Sequence, residues 1–173
     1  MTKHRNQSGW VALLACLLLN MTGVRETLAA ELKITGSSGG TASFSQTEFA
    51  ALPHQDVRVF LEGQAIVFSG IPLTTLLQRV GAPTGKQLRG PALCKVVVVT
   101  AKDGYAVTLT LAETDPMFRK EQILVADRAD GAPLTEANGP FRLVVEGDLR
   151  GARFARMVTE IAVLDVPSCG APK

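Results

Sequence analysis

The sequence predicts a strand-rich α+β domain with two or three short helices. Three observations carry this. Several segments of four to seven residues are rich in β-branched side chains, with alternating patterns such as Val57, Val59 and Leu61. Tight-turn dipeptides, Asp103-Gly104 and Asp130-Gly131, separate such segments at hairpin spacing. Helical signals are few and short: a capping box at Ser45 to Glu48, and one apolar face at Leu73, Leu76, Leu77 and Val80.

Leu32 to Thr35 reads as a first strand, and Gly36 to Gly40 as a flexible loop. Ser45 and Glu48 then open a helix, with Phe44 and Phe49 placed as a hydrophobic staple and Pro53 as its end. Val57 to Leu61 and Gln64 to Ser69 form a hairpin. Gly70-Ile71-Pro72-Leu73 opens a second helix, because proline fits a first helical turn; Gly81 closes it. Lys95 to Ala101 is a strand that returns through Tyr105 to Leu109. Leu111 to Met117 is a helical turn and Ile123 to Ala126 a buried strand. Phe141 to Val145 and Met157 to Val166 close the domain.

Residues 1–30 read as a cleaved secretory leader. Lys3 and Arg5 precede an apolar run from Trp10 to Leu19, too short to span a bilayer comfortably, and Leu28-Ala29-Ala30 offers small residues for cleavage. Leu13-Leu14-Ala15-Cys16 looks like a lipidation site, but three leucines follow Cys16, so the apolar run does not end there. Cleavage after Ala30 leaves 143 of the 173 residues as one domain, 31–173. Lys3, Arg5, Arg25 and Glu26 leave with the leader; fifteen basic and fifteen acidic side chains remain. A neutral domain without tryptophan gives no sign of general nucleic-acid binding. The destination is the periplasm, an oxidising compartment, and there Cys94 and Cys169 pair as a disulfide that anchors a Pro/Gly-rich tail. The competing reading of either cysteine is a metal ligand or reactive thiol.

The residues that can carry chemistry cluster late. Asn138-Gly139-Pro140 leads into the strand Phe141 to Val145, and then a glycine-containing loop carries Arg150, Arg153 and Arg156. Guanidinium forks and backbone N–H groups suit an oxygen-rich or flat heteroaromatic ligand. Gly151 lets the backbone approach closely, and Phe154 offers a ring for stacking. Tyr105 is the single tyrosine, beside Asp103; Asp103 and Glu62 are acceptors for ring N–H groups. His54 is the single histidine after the leader, in a loop after Pro53, and reads as solvated. No Gly-x-Ser-x-Gly turn, phosphate loop or His/Cys/carboxylate cluster at metal spacing is present.

The order of motifs resembles the molybdopterin-binding domain of the sulfite oxidase superfamily, over roughly residues 32 to 166. The matching pieces are Gly70-Ile71-Pro72-Leu73 with Leu76-Leu77, Asp103-Gly104-Tyr105, Leu111-Ala112-Glu113 with Asp115-Pro116, and Ile123 to Ala126. Asp130-Gly131 with Pro133-Leu134, Gly139-Pro140 with Arg142 to Val145, and Gly151-Ala152-Arg153 complete the series. The resemblance implies a mixed α+β fold that holds a pterin between loops. It implies an active-site tyrosine at Tyr105 and cofactor-contacting basic positions at Arg153 and Arg156. The family's enzymes ligate molybdenum through a cysteine in the strand before the Gly-x-Pro-Leu segment. Here that stretch, Val57 to Gln64, has none, Arg58 stands near the expected position, and Cys94 lies beyond the helix. The leader also lacks the arginine pair expected of proteins exported with cofactor already bound. The expectation is therefore a non-catalytic protein that binds a pterin as ligand without molybdenum, with Tyr105, Arg153, Arg156, Arg150, Phe154, Asp103 and Asn138 around it. By the same resemblance it serves as a sensor for the periplasmic domain of an inner-membrane cyclic-di-GMP signalling protein. The alternative is a molybdopterin-dependent oxidoreductase.

Overall fold

A computed structural model describes residues 30–167 and 169. The leader and the Cys16 lipidation motif lie outside the described residues, apart from Ala30. The fold is α+β and strand-rich, as the sequence predicts. Ten strands form two sheets: β1 (Glu31–Thr35), β2 (Thr41–Ser45), β3 (Gln55–Leu61), β4 (Gln64–Pro72), β5 (Lys95–Ala101), β6 (Ala106–Thr110), β7 (Ile123–Ala129), β8 (Ala132–Pro133), β9 (Arg142–Val145) and β10 (Val158–Asp165). Two short helices, α1 (Gln46–Ala50) and α2 (Leu73–Gln78), join them with four 3-10 turns.

The first sheet runs β2-β1-β10-β5-β6. Its one parallel pairing, β1 with β10, brings Ile34 level with Ile161 and ties the two ends of the domain together. The second sheet runs β3-β4-β7-β8, with β9 also on β7. Leu124, Val125 and Ala126 of β7 are fully buried, and Leu143, Val144 and Val145 of β9 likewise. Strands covered on both faces need such unbroken apolar runs. In β5, by contrast, Val97 and Val99 alternate inward. Phe49, from α1, meets Phe141 at a centroid distance of 4.9 Å and carries the helix into the core.

Several local expectations hold. Ser45 and Glu48 form the reciprocal capping box, and Phe44 meets Phe49 edge-on at 6.5 Å. Others are corrected. Thr41–Ser45, to which the sequence reading assigned no strand, is one; its partner β1 satisfies its backbone. Gly36 to Gly40 is an ordered turn, closed by Gly36 N–H to Gly40 O at 2.8 Å and Gly39 N–H to Gly36 O at 3.0 Å. Gly70 to Pro72 continues β4, and the helix begins only at Leu73. Gly70 sits at a register shift against β7, where a Cβ would lie 2.1 Å from the Val125 carbonyl oxygen. The glycine is there to let two strands approach, not to start a helix. The helical turn expected from Leu111 shrinks to a 3-10 turn, Ala112–Thr114.

Cys94 and Cys169 form the expected disulfide, with Cα atoms 5.5 Å apart across 75 residues. The register explains it. β10 runs antiparallel to β5 with Asp165 opposite Lys95, so the chain after β10 passes the residue before β5. Val166 N–H donates to the Cys94 carbonyl at 3.3 Å.

Candidate functional site

The same register builds the site. Val158, at the start of β10, stands opposite Ala101 at the end of β5. The residues just before β10 must therefore lie beside the β5–β6 turn, and Lys102 N–H donates to the Met157 carbonyl at 2.9 Å. On the other side, Leu143 N–H reaches the Ala155 carbonyl at 2.9 Å and Val158 N–H the Phe141 carbonyl at 2.8 Å. The loop from Gly147 to Met157 is thereby held between the two sheets.

A cleft of about 230 Å3 opens between this loop and the β5–β6 turn. Asp103 and Tyr105 line one side; Gly151, Ala152 and the stretch from Phe154 to Arg156 line the other. Tyr105 is 49% exposed, and its hydroxyl donates to the Ala152 carbonyl at 2.6 Å. Its ring thus forms a fixed wall. Asp103 Oδ1 accepts the Tyr105 N–H at 3.0 Å and closes the turn. Arg156 is exposed at the rim. Gly151 permits the loop to sit on β3: a Cβ there would lie 2.6 Å from Leu61 Cδ1.

The structure brings Tyr105, Asp103 and Arg156 together and sorts the other predicted residues differently. Arg153 does not line the cleft. Its Nε and Nη2 donate to Asp148 at 2.8 and 2.6 Å, and its Nη1 to Glu113 at 3.1 Å. Hydrogen bonding to Asp148 raises the Arg153 pKa above the ordinary guanidinium value, with Glu113 adding to it against the cost of burial. Burial pushes the Glu113 carboxyl up, but Thr110 N–H, Arg153 and the Thr110 hydroxyl together hold it below the usual carboxylate range. Arg153 is a staple within the loop. Phe154 is 3% exposed and belongs to the core, so it presents no stacking face, although it borders the cleft. Arg150 is exposed and outside the lining. Asn138 holds Thr135 Oγ1 at 3.1 Å and accepts from Arg142 Nη1 at 3.2 Å; it organises the approach to β9 rather than touching the cleft.

Arg58 is on the outer face of β3, where it shares a different groove with Phe60 and Leu149. The end of that strand next to the cleft loop is Leu61, which has no ligating atom. His54 is not solvated. Nδ1 lies 2.7 Å from the Leu52 carbonyl and Nε2 2.9 Å from Asp127 Oδ1, and the ring meets Phe49 edge-on at 6.1 Å. It fastens the α1–β3 connection to β7.

Sequence reasoning missed Arg142 as a site residue. Its guanidinium lies over the Phe68 ring, 5.3 Å from the centroid. Burial lowers its pKa, the charge of Arg156 lowers it further, and Glu62 opposes both. The available signal was a charge inside the apolar run Phe141 to Val145. A larger groove of about 350 Å3 lies elsewhere, at Thr74, Arg119 and Lys120. Its main cation is already engaged: Arg119 donates to the Glu146 carbonyl and faces Glu121 at 3.8 Å.

A thiolate-bound metal does not fit these donors. Cys94 and Cys169 are bonded to each other, and no group of three or more His, Cys, Asp or Glu among the described residues could hold a metal ion. A flat, hydrogen-bonding ring does fit the cleft, between a fixed tyrosine wall, an arginine and a glycine-containing backbone.

Known proteins agree with this architecture. The crystal structure of the sulfane dehydrogenase SoxCD from Paracoccus pantotrophus superposes with a TM-score of 0.62 at 18% identity. The match covers 79% of this chain and 38% of that one, so this chain spans well under half the length of that protein, and at this identity the likeness carries the fold. No curated protein sequence matches. The family model described as Oxidoreductase molybdopterin binding domain matches residues 21–171, and with nearly the whole domain covered, the chain belongs to that family.

Proposed function

We propose that this domain is a periplasmic pterin-binding protein that takes the pterin as a ligand, without molybdenum and without catalysis. We further propose that it reports ligand state to the periplasmic domain of an inner-membrane signalling protein of the cyclic-di-GMP type. Family membership supports a pterin-related ligand. The observation that carries the reading is the cleft itself: Tyr105, Asp103 and Arg156 converge on it from two loops, and among the described residues no free thiolate stands beside it. Its volume of about 230 Å3 falls below the roughly 300–1,000 Å3 usual for drug-sized ligands, which suits one small ring system. The Tyr105 ring would stack on that system, Arg156 would face its carbonyl edge, and Asp103 would accept from its amino edge. The leader and the disulfide support export.

Calorimetric titration with reduced and oxidised pterins tests the reading. The wild-type protein should bind at least one of them. Tyr105→Ala should weaken that binding roughly ten- to a hundred-fold, the scale of one lost ring stack. A wild-type protein that binds no pterin would overturn the ligand assignment. Stoichiometric molybdenum in protein isolated from its native periplasm would instead favour the oxidoreductase reading.

A further inference from the structure

The strand β3 is an open edge. It is an outer strand of the second sheet and pairs only with β4. The register shows which way its backbone faces. Val67 of β4 stands opposite Arg58, yet its N–H donates to Asp130 Oδ1 at 2.9 Å and its carbonyl accepts the Asp130 N–H at 2.8 Å. Both groups of Val67 therefore point away from β3. Bonded and non-bonded positions alternate along an antiparallel pair, so the N–H and C=O of Arg58, and of Asp56 and Phe60 on either side of it, face away from β4. They have no backbone partner among the described residues.

The side chains at these positions are exposed. Neither Asp56 nor Arg58 enters an ion pair among the described residues. Phe60, the next residue on that face, is 71% exposed. A groove of about 380 Å3 runs beside Arg58, Val59 and Phe60, with the exposed Leu149 on its other wall. The edge strands of the first sheet, β2 and β6, carry no charge at all. Like charges on an edge keep it from pairing. Opposite charges two residues apart do the reverse, because a two-fold axis between them sets each against the other in a second, antiparallel copy.

We infer that β3 is a self-association surface, on which a second copy of this chain pairs its own β3 antiparallel about a two-fold axis at Val57. That register sets Asp56 opposite Arg58 of the partner subunit and Arg58 opposite the partner subunit's Asp56. Both are positions whose backbone faces the joint. The pairing gives one ion pair on each side of the axis and about four backbone hydrogen bonds. Charge selects this register. An axis at Asp56 or at Arg58 would set that charge against its own copy, and an axis at Val59 would set Asp56 against Glu62. Val57 and Val59 face the core, so the buried face of one sheet continues into that of the other copy. The joint is short, and the dimer is accordingly a weak, reversible one. No residue of β3 lines the cleft, so the inference stands apart from the pterin reading.

Sedimentation of the disulfide-bonded protein, from micromolar to near-millimolar concentration, tests this. Wild type should pass reversibly from monomer to dimer as concentration rises, and added salt should weaken the dimer. Arg58→Asp and Asp56→Arg each put like charges opposite one another on both sides of the axis, and each should raise the dimer Kd roughly tenfold or more. The exchanged variant, Asp56→Arg with Arg58→Asp, restores opposite signs and should dimerise like wild type. Both positions are exposed, so all three variants should unfold at the wild-type midpoint, which separates lost pairing from lost fold. A wild type that stays monomeric throughout would overturn the inference. A dimer indifferent to the single changes lies on another surface and overturns it equally. Single changes that weaken the dimer without recovery in the exchanged variant would show that Asp56 and Arg58 do not face each other, and the proposed pairing would fall.

Discussion

A single side chain can look like a ligand contact in sequence and be a brace in the fold. Arg153 is the case here. Its Gly-Ala-Arg context points to a ligand, but Asp148 and Glu113 use three of its nitrogens. Arg153→Ala therefore acts first on the loop. It leaves two carboxylates without their cation, and with Arg153 and Glu113 about a third exposed the loss should be about 1 kcal/mol of stability, below the value for buried charged bonds. Denaturant unfolding checks this; a variant as stable as wild type would return Arg153 to the ligand. The same contacts set a pH dependence. Glu113 has a lowered folded-state pKa, so its contribution is present above the unfolded carboxylate value and is lost as pH falls through the folded value. Part of the acid sensitivity of wild type should accordingly be missing in Arg153→Ala.

At the scale of elements, hydrophobic period predicts strands well and glycine predicts ambiguously. Gly70 precedes Ile71-Pro72-Leu73, which reads as a helix start, yet it belongs to β4 at the bulge facing β7. Which meaning holds depends on a neighbouring strand 55 residues away in sequence, Val125, whose carbonyl would lie 2.1 Å from any Cβ at position 70. Backbone cannot move aside as a side-chain tip can. Gly70→Ala should cost about 1–3 kcal/mol through overpacking, read as a lower denaturant midpoint. An unchanged midpoint would show that β4 and β7 can separate there at little cost.

Across the whole molecule, one disulfide closes a long segment. Cys94 and Cys169 lie on either side of most of the second half of the fold, from β5 to the end of β10. Cross-linking a loop of this length lowers the entropy of the unfolded chain, and removing it by Cys94→Ser with Cys169→Ser should cost about 2–4 kcal/mol. Thiol counting on the unfolded, non-reduced protein should find no free thiol from these two residues. Two free thiols would contradict the bond. The cleft should survive the double variant, because the β10–β5 ladder that positions it starts at the opposite end, at Val158 and Ala101.

The fold class, most of the strands, the first helix with its cap and the cysteine pairing are legible in the sequence, because each follows from local period, turn chemistry or a count of two. The sequence also pointed to Tyr105, Asp103 and Arg156. Which arginines face the cleft is set by long-range packing. The register of β10 on β5 places the loop beside the Tyr105 turn, the carboxylates of Asp148 and Glu113 withdraw Arg153, core packing withdraws Phe154, and pleat parity turns Arg58 outward. Arg142 shows the same limit from the other side. One charge in an apolar strand is visible in the sequence, but its surroundings come from the β3–β4 turn, β4 and the loop before β10, and no local pattern encodes that meeting.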